Sequence, residues 1–504
     1  MTDSTPYDRA IETLCARVAQ QPDAAPAYRA LGTALREAGA AHRAIPILRR
    51  ALELQPGHFD TLLSLGGALL DVGELHEAVT TLRQAQPLQP AHPAAHNLLG
   101  AALAAQDDLP AAIAEYRQAL AAQPAYVEVL SNLADALRQT GELDEALARL
   151  QHALTLAPDY PSAHNNLGMV WSDLRRFDKA LASFDRAIAL APDNARYHTN
   201  RGITWLRCGD FPAGWPEYEW RLKLEAAPPR RWDKPRWQGE PLDGRRVFLH
   251  AEQGFGDMIQ FLRYVPQVVA RGGRVVLESP PELLRLFDGA IPVERLVRLG
   301  DDPGDFDFYC PLLSLPGVFQ TDLVHIPAPA AYLKVPPILA DTWRRRLAPT
   351  ENCFRVGLAW RGRPHPRGRS IAPAQLAPLA AAGDVTFFKL HTETAPADAE
   401  ALPARLRLLD DPARADFADL AGLITQMDLV ISIDTAAAHL AGAVGKPVWV
   451  LLPTPSDWRW LYDRQDSPWY ASMRLFRQQR PNDWLPVVER VAAALTAAVR
   501  RGRG

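Results

Sequence analysis

Pro22, Pro56, Pro90, Pro124, Pro158 and Pro192 stand thirty-four residues apart without a slip. Gly32, Gly66, Gly100, Gly168 and Gly202 keep the same beat, with Ala134 in the remaining slot. Alanines follow it at Ala44, Ala78, Ala112, Ala146 and Ala180, and again at Ala51, Ala85, Ala119, Ala153 and Ala187. A fixed period of this length, with small residues at fixed offsets, predicts a solenoid of paired helices. In the unit 25–58, Tyr28, Leu31, Gly32 and Leu35 give the first helix an apolar stripe, and Ala44, Leu48 and Ala51 give the second one. Proline then closes the second helix, because it lacks a donor and disfavours helix at its predecessor. Glycine turns such as Val72-Gly73-Glu74 and Thr140-Gly141-Glu142 separate paired helices.

The ladder runs as five units over 25–194, after a half unit carrying Ala10, Leu14 and Pro22. A sixth unit, 195–226, keeps its first helix and then departs, with Gly214-Trp215-Pro216 replacing the small-residue helix. Asn132, Asn166 and Asn200 add a beat of their own. Their amides form either a peptide-binding ladder in a groove or bonds to neighbouring turns. His92 and His96 lie four apart without a third ligand and read as surface histidines rather than a metal pair.

At 504 residues the chain needs more than one core. A net charge of -3 gives no electrostatic case for nucleic acid or an anionic membrane as main partner. The first residues lack a secretory pattern, no apolar run is long enough to span a bilayer, and Cys15, Cys208, Cys310 and Cys353 are scattered. The expectation is a cytoplasmic protein without an integral membrane segment.

Beyond an irregular linker at 227–242 the texture changes to alternating strands and helices. Arg246–His250, Arg274–Glu278, Arg295–Leu299 and Phe306–Cys310 read as strands of one lobe at 243–337. Phe354–Trp360, Val385–Leu390, Asp428–Asp434 and Val448–Leu452 read as strands of a second at 350–504, with a closing helix at 484–499. The stretch 338–349 is taken as a linker between lobes. Strand, glycine turn, helix and strand make a βαβ unit with a parallel sheet. Such sheets bind ligands beyond the carboxyl ends of their strands, so the loops after 250, 360, 390, 434 and 452 are expected to share a cleft.

Two of those loops carry candidate chemistry. In His250-Ala-Glu252-Gln253-Gly254-Phe-Gly256-Asp257, the glycines allow backbone to approach a substrate, and Asp257 opens a helix. Asp257 is read either as a catalytic carboxylate or as a helix-start carboxylate worth about 0.3–1 kcal/mol. In Asp434-Thr435-Ala436-Ala437-Ala438-His439, Asp434 or Thr435 caps a helix whose free amides suit a phosphate. The plain alternatives are a simple cap for Thr435 and a core histidine for His439.

The ordered motifs EYEWR, HAEQGFGD, GFGDMIQFLRYVP, RSI, DFADLAGLI, ISIDTAAAHLAGAVGKPVWVLLP and DWRWLYDRQDSPWY resemble the heptosyltransferase-like group, glycosyltransferase family 9. The resemblance covers 211–495, and the ladder resembles tetratricopeptide repeats. It implies an all-α tetratricopeptide-repeat solenoid over 1–226, followed by an α/β GT-B fold of two Rossmann-like lobes, acceptor side first. It also implies a metal-independent inverting transfer of a sugar from a nucleotide-diphosphate sugar to a hydroxyl, with no other cofactor. On this likeness Asp257 is the base, with Gln253, Gly254 and Gly256 around the acceptor. The donor diphosphate falls to Asp434, Thr435, Ala436, Ala437 and His439, with Arg361, Arg363 and Lys389 neutralising the leaving group. The acceptor is a protein, peptide or glycan presented by the repeat groove at Asn132, Asn166 and Asn200. Two loops depart from the group. Trp360-Arg361-Gly362-Arg363-Pro364 replaces a Trp-Ala-Gly-Asn-Pro-like loop, and in Lys389-Leu390-His391-Thr392-Glu393 the usual lysine slot holds Thr392. Those departures leave a non-catalytic repeat adaptor as the alternative; an epimerase would have no use for a macromolecular acceptor site.

Overall fold

The computed structural model describes residues 6–224, 232–350, 353–363, 368–391, 408–409 and 416–501. The chain forms two compact units, Met1–Asp193 and Asn194–Gly504.

The first unit is the solenoid. After a lone helix Pro6–Gln20 come five antiparallel pairs. They are Ala25–Glu37 with Ala41–Leu54, Phe59–Asp71 with Leu75–Ala85, and Pro93–Ala105 with Leu109–Ala122. Val127–Thr140 with Leu143–Leu156 and Pro161–Asp173 with Phe177–Leu190 complete the set. The glycine beat has a direct steric cause. A β-carbon on Gly32 would lie 2.5 Å from Leu48, and on Gly100 or Gly168 it would lie 2.7 Å from the ring of Tyr116 or Phe184. Leu48, Leu82, Tyr116, Leu150 and Phe184 are themselves thirty-four apart and buried, so each pair closes a large side chain of its second helix onto a small slot in its first. Each ladder proline from Pro124 onward follows a helix-ending residue whose backbone is extended, as at Gln123 (φ -139°, ψ 85°) and Ala157 (φ -137°, ψ 86°). The turn within each pair repeats as well: Gly39, Gly73, Asp107, Gly141 and Arg175 all hold positive φ.

The polar residues of the beat bind neighbouring repeats. Asn132 Nδ2 donates to Asn97 Oδ1 at 3.1 Å, and Asn166 Nδ2 donates to the Ser131 hydroxyl at 3.0 Å. Arg138 pairs with Asp173 of the next repeat at 2.9 Å. His96 is buried rather than a surface histidine, since its ring meets Glu115 at 2.6 Å and the Pro90 carbonyl at 2.8 Å. His92 lies edge-on to Phe59 instead of facing a metal with His96. Among the described residues no group of His, Cys, Asp and Glu is arranged to hold a metal ion.

The second unit opens with a sixth helix pair, Ala195–Cys208 and Phe211–Tyr218, running into a short 3-10 turn Glu219–Lys223. Contrary to the sequence expectation, the second helix of this unit forms despite Pro216. Asp210 caps it through the Ala213 amide, and Gly214 sits against Leu206 in place of a larger residue. Tyr218 takes the beat of Leu48 and Phe184, with its backbone 2.7 Å from where a Gly202 β-carbon would stand. The repeat pattern is traced to 226, while the compact units divide at 193. Phe211, Trp215 and Tyr218 account for this, because they lie in the same apolar core as the strands that follow.

Those strands form two parallel sheets. The first has the order β3-β2-β1-β4, with β1 Arg246–His250, β2 Arg274–Ser279, β3 Arg295–Arg298 and β4 Phe308–Pro311. The second has the order β10-β9-β8-β5-β6-β7. It comprises β5 Phe354–Ala359, β6 Val385–Lys389, β7 Leu408–Leu409, β8 Leu429–Ile433, β9 Val448–Leu452 and β10 Met473–Arg477. The fold is thus an all-α repeat solenoid followed by an α/β domain of GT-B type. Further elements differ from the sequence reading. Pro337–Arg346, read as a linker, is a helix that buries Trp343 under Gly422. The single helix read after the first glycine turn is broken by a 3-10 turn at Leu262–Tyr264, and β7 and β10 were not anticipated. No helix of the described residues is long and apolar enough to cross a membrane.

Candidate functional site

Strand order locates the site before any side chain is considered. In the first sheet the chain steps outward from β1 to β2 and β3, then returns to the other side of β1 as β4. In the second it steps from β5 to β6 and β7, then returns beside β5 as β8. The loops after β1, β5 and β8 therefore open at the switch points, where open parallel sheets bind ligands.

These loops meet. The helix after β1, Phe255–Phe261, and the helix after β8, Ala436–Ala443, approach through their first turns. A β-carbon on Gly256 would lie 2.9 Å from His439 Cδ2 and 3.7 Å from Ala436 Cα, so the approach requires glycine. Phe255 packs edge-on against Phe417, and the Arg363 guanidinium lies 5.5 Å from the Phe255 ring centre.

Asp257 closes its helix start, accepting the Gly254 N–H on Oδ2 at 3.0 Å. Its other oxygen, Oδ1, accepts from Arg459 Nη2 at 2.5 Å. Arg459 is 6 % exposed and also donates to Asp457 Oδ1 at 2.9 Å and Gln260 Oε1 at 3.0 Å. Burial disfavours its charge, yet Asp457 and Asp257 hold the guanidinium far above its ordinary value.

On the facing side, Thr435 occupies the cap position of the Ala436 helix without a side-chain cap bond; its hydroxyl meets Ser432 Oγ at 3.1 Å. The first helical amides, Ala436 and Ala437, have no partner among the described residues, as expected where no side chain caps them. Asp434 lies 3.8 Å from His439 Nε2, and His439 Nδ1 meets the Tyr470 hydroxyl at 3.0 Å. Burial raises the Asp434 carboxyl, but His439 and, further off, Arg459 bring it below the usual range. Arg369 donates to the Arg363 carbonyl at 3.2 Å and to the Asp434 carbonyl at 3.5 Å. Burial lowers its guanidinium; Asp434 opposes this and the Arg363 cation adds to it.

The structure thus brings together Asp257, Gly254, Gly256, Asp434, Thr435, Ala436, His439 and Arg363, with Ala437 in the same helical turn. Gln253 instead turns toward the sixth helix pair, donating to the Tyr218 hydroxyl at 3.3 Å. Beside it Arg221 donates to both oxygens of Glu252 at 3.0 Å, which ties the EYEWR segment to HAEQGFGD. Lys389 ends β6 and is only 4 % exposed; Arg361 is half-buried just past β5. Asn200 belongs to the second unit, whereas Asn132 and Asn166 belong to the first. Pro364, Thr392 and Glu393 lie outside the described residues. Arg369 and Arg459 were not singled out in the sequence. Their signal was present in RSI and DWRWLYDRQDSPWY, where tryptophans that prove to be buried drew the reading toward packing.

Comparison with known proteins agrees with this division. Tetratricopeptide-repeat models match residues 6–59, 35–102, 134–171 and 161–194. The glycosyltransferase family 9 (heptosyltransferase) model matches residues 382–496, which include the Asp434 turn and Arg459 but not Asp257. Protein FlbA of Caulobacter vibrioides is 29 % identical over 318 residues, covering 58 % of this chain and 53 % of its own. The match therefore spans about half the length of that relative. Among solved structures, YrrB, a TPR protein with an unusual peptide-binding site, is 21 % identical over 37 % of this chain and 97 % of its own, with a TM-score of 0.31. TTC0263 of Thermus thermophilus, a thermophilic TPR protein, is 23 % identical over 36 % of this chain and all of its own, with a TM-score of 0.33. Likenesses at that level have no bearing on function. Tetratricopeptide-repeat models thus match the amino-terminal part of the chain, and the glycosyltransferase family 9 (heptosyltransferase) model matches its carboxyl-terminal part.

Proposed function

We propose that the protein transfers a sugar, with inversion, from a nucleotide-diphosphate sugar to a hydroxyl of a protein or glycan acceptor. The observation that carries this reading is the meeting of the Asp257 loop with the Asp434–His439 turn through Gly256. Asp257 takes the acceptor hydroxyl's proton as its oxygen attacks the anomeric carbon. The bond from that carbon to the diphosphate breaks, and the diphosphate leaves with the electron pair. Its growing charge is met by the Ala436 and Ala437 amides at the helix start and by Arg363 and Arg369, so no metal is required. Arg369 here takes the part expected of Lys389, since it joins Arg363 beside Asp434. The repeats supply the acceptor-binding surface.

The test is a thermal-shift and calorimetric panel of UDP-, GDP-, ADP-, CDP- and dTDP-sugars. At least one should bind, and Asp257→Asn should lose transfer by about 10²–10⁴-fold with donor affinity kept. A panel in which none binds would sink the proposal. The adaptor reading rests on the departing loops at 360–364 and 389–393, and the ion pair already occupying Asp257 Oδ1 adds to it. Donor turnover that disappears in a folded Asp257 variant would rule it out.

A further inference from the structure

Arg459 comes from the loop after β9 in the second lobe, yet its guanidinium grips Asp257 and Gln260 of the first. Three of its nitrogens are committed, to Asp257, Gln260 and Asp457. A buried guanidinium tolerates burial only while such partners are present, so its position and that of the Asp257 carboxylate fix each other.

The seat of Arg459 has an unexpected origin. Its neighbour Trp458 lies across the guanidinium, 4.4 Å from ring centre to Cζ. Trp458 in turn sits edge-on among three side chains of the last repeat helix: Trp215 at 5.4 Å, Tyr218 at 5.9 Å and Phe211 at 6.3 Å between ring centres. The same helix reaches the Asp257 loop directly through Tyr218 and Gln253, and Arg221 just beyond it holds Glu252. Trp215 Nε1 anchors the helix by donating to the Thr321 carbonyl at 2.7 Å. One helix therefore braces the loop that carries Asp257 and also the residue that grips its carboxylate.

We propose that Arg459 is a positioning residue for Asp257 and that the last repeat helix, through Trp458, holds it in place. The sixth helix pair is then a working part of the site rather than a cap on the solenoid. Arg459 fixes Oδ1 and the Gly254 amide fixes Oδ2, which leaves each oxygen one further acceptor direction for an incoming hydroxyl. The catalytic meaning of this arrangement rests on the transferase reading above; the seating of Asp257 does not.

The experiment needs no nucleotide. Full-length wild type, Arg459→Gln, Arg459→Lys and Trp458→Leu are labelled at carboxyl groups with a carbodiimide and glycine ethyl ester, and rates at Asp257 are read by peptide mass spectrometry. Asp416, held by Arg285 at 2.6–2.7 Å, serves as internal reference. Asp257 should react about tenfold faster in Arg459→Gln and in Trp458→Leu, with Arg459→Lys in between and Asp416 unchanged. Unchanged labelling of Asp257 in Arg459→Gln overturns the positioning role, as does an equal rise at Asp416. Unchanged labelling in Trp458→Leu overturns the part given to the repeat helix. With any donor that the panel identifies, Arg459→Lys should lower kcat while donor affinity stays within about twofold. A panel without binders would count against the transferase reading and leave the labelling result standing.

Discussion

A methyl group added at Gly256 would stand 2.9 Å from His439 Cδ2, a distance that side chains do not adopt, with helix backbone close behind. Gly256→Ala should therefore push the two helix starts apart, at a cost of about 1–3 kcal/mol. A lowered melting temperature together with weaker binding of the donor would show it; an unchanged donor affinity would separate the two lobes' roles. Asp434 offers a second test. Its carboxyl lies below the usual range, so the stability it contributes is complete above the unfolded value of about 3.9 and is lost as pH falls through the folded value. The stability gap between wild type and Asp434→Asn should accordingly shrink in acid below about pH 4, as denaturant titrations at stepped pH would reveal. The loops of Asp257 and of Asp434–His439 were legible in the sequence as strand ends and glycine turns, while the roles expected of them came from the family resemblance. Arg459 was not, since its partner Asp257 lies 202 residues away and no local pattern joins them.

Each helix pair of the solenoid carries its own lock, and the lock was readable as a period before any helix was seen. What the glycine turns read from the sequence did not show is that two non-glycine residues hold the same slot. Gly39, Gly73, Gly141 and Gly209 adopt positive φ, and the same slot holds Asp107 (φ 73°) and Arg175 (φ 59°). An arginine in the left-handed region costs about 1–2 kcal/mol relative to glycine. Arg175→Gly should raise the melting temperature of the repeats by a few degrees, against the common trend that surface substitutions do nothing or destabilise. Phe184→Ala should instead lower stability by about 3–5 kcal/mol, because the Gly168 slot cannot collapse around the missing ring. Helix existence and order followed from the sequence. The helix Pro337–Arg346 escaped because its two opening prolines suggested a linker, although proline at a helix start is ordinary.

At the scale of the molecule, a break in sequence pattern and a break in packing fall at different places. The repeat pattern gives way near 226, but Phe211, Trp215 and Tyr218 share a core with Val247, Phe261 and Trp458. A chain starting at 194 should melt as a cooperative unit, whereas one starting at 227 should be poorly soluble or unfold at markedly lower temperature. Expression of the two fragments, followed by scanning calorimetry, compares them directly. The sequence boundary was drawn from small residues, which report helix pairing, and not from aromatic residues, whose partners include Gln253, Thr321 and Trp458 in the second unit. The helix pairs also bear on how such an array can grow. Gly32 and Leu48, like Gly168 and Phe184, belong to one unit, so a duplicated unit arrives with its apolar contact already matched. The ties between Asn166 and Ser131 or between Arg138 and Asp173 span two units and must be found again at every new junction. Lengthening by duplication would thus preserve the core at once and leave the polar seams to later substitution.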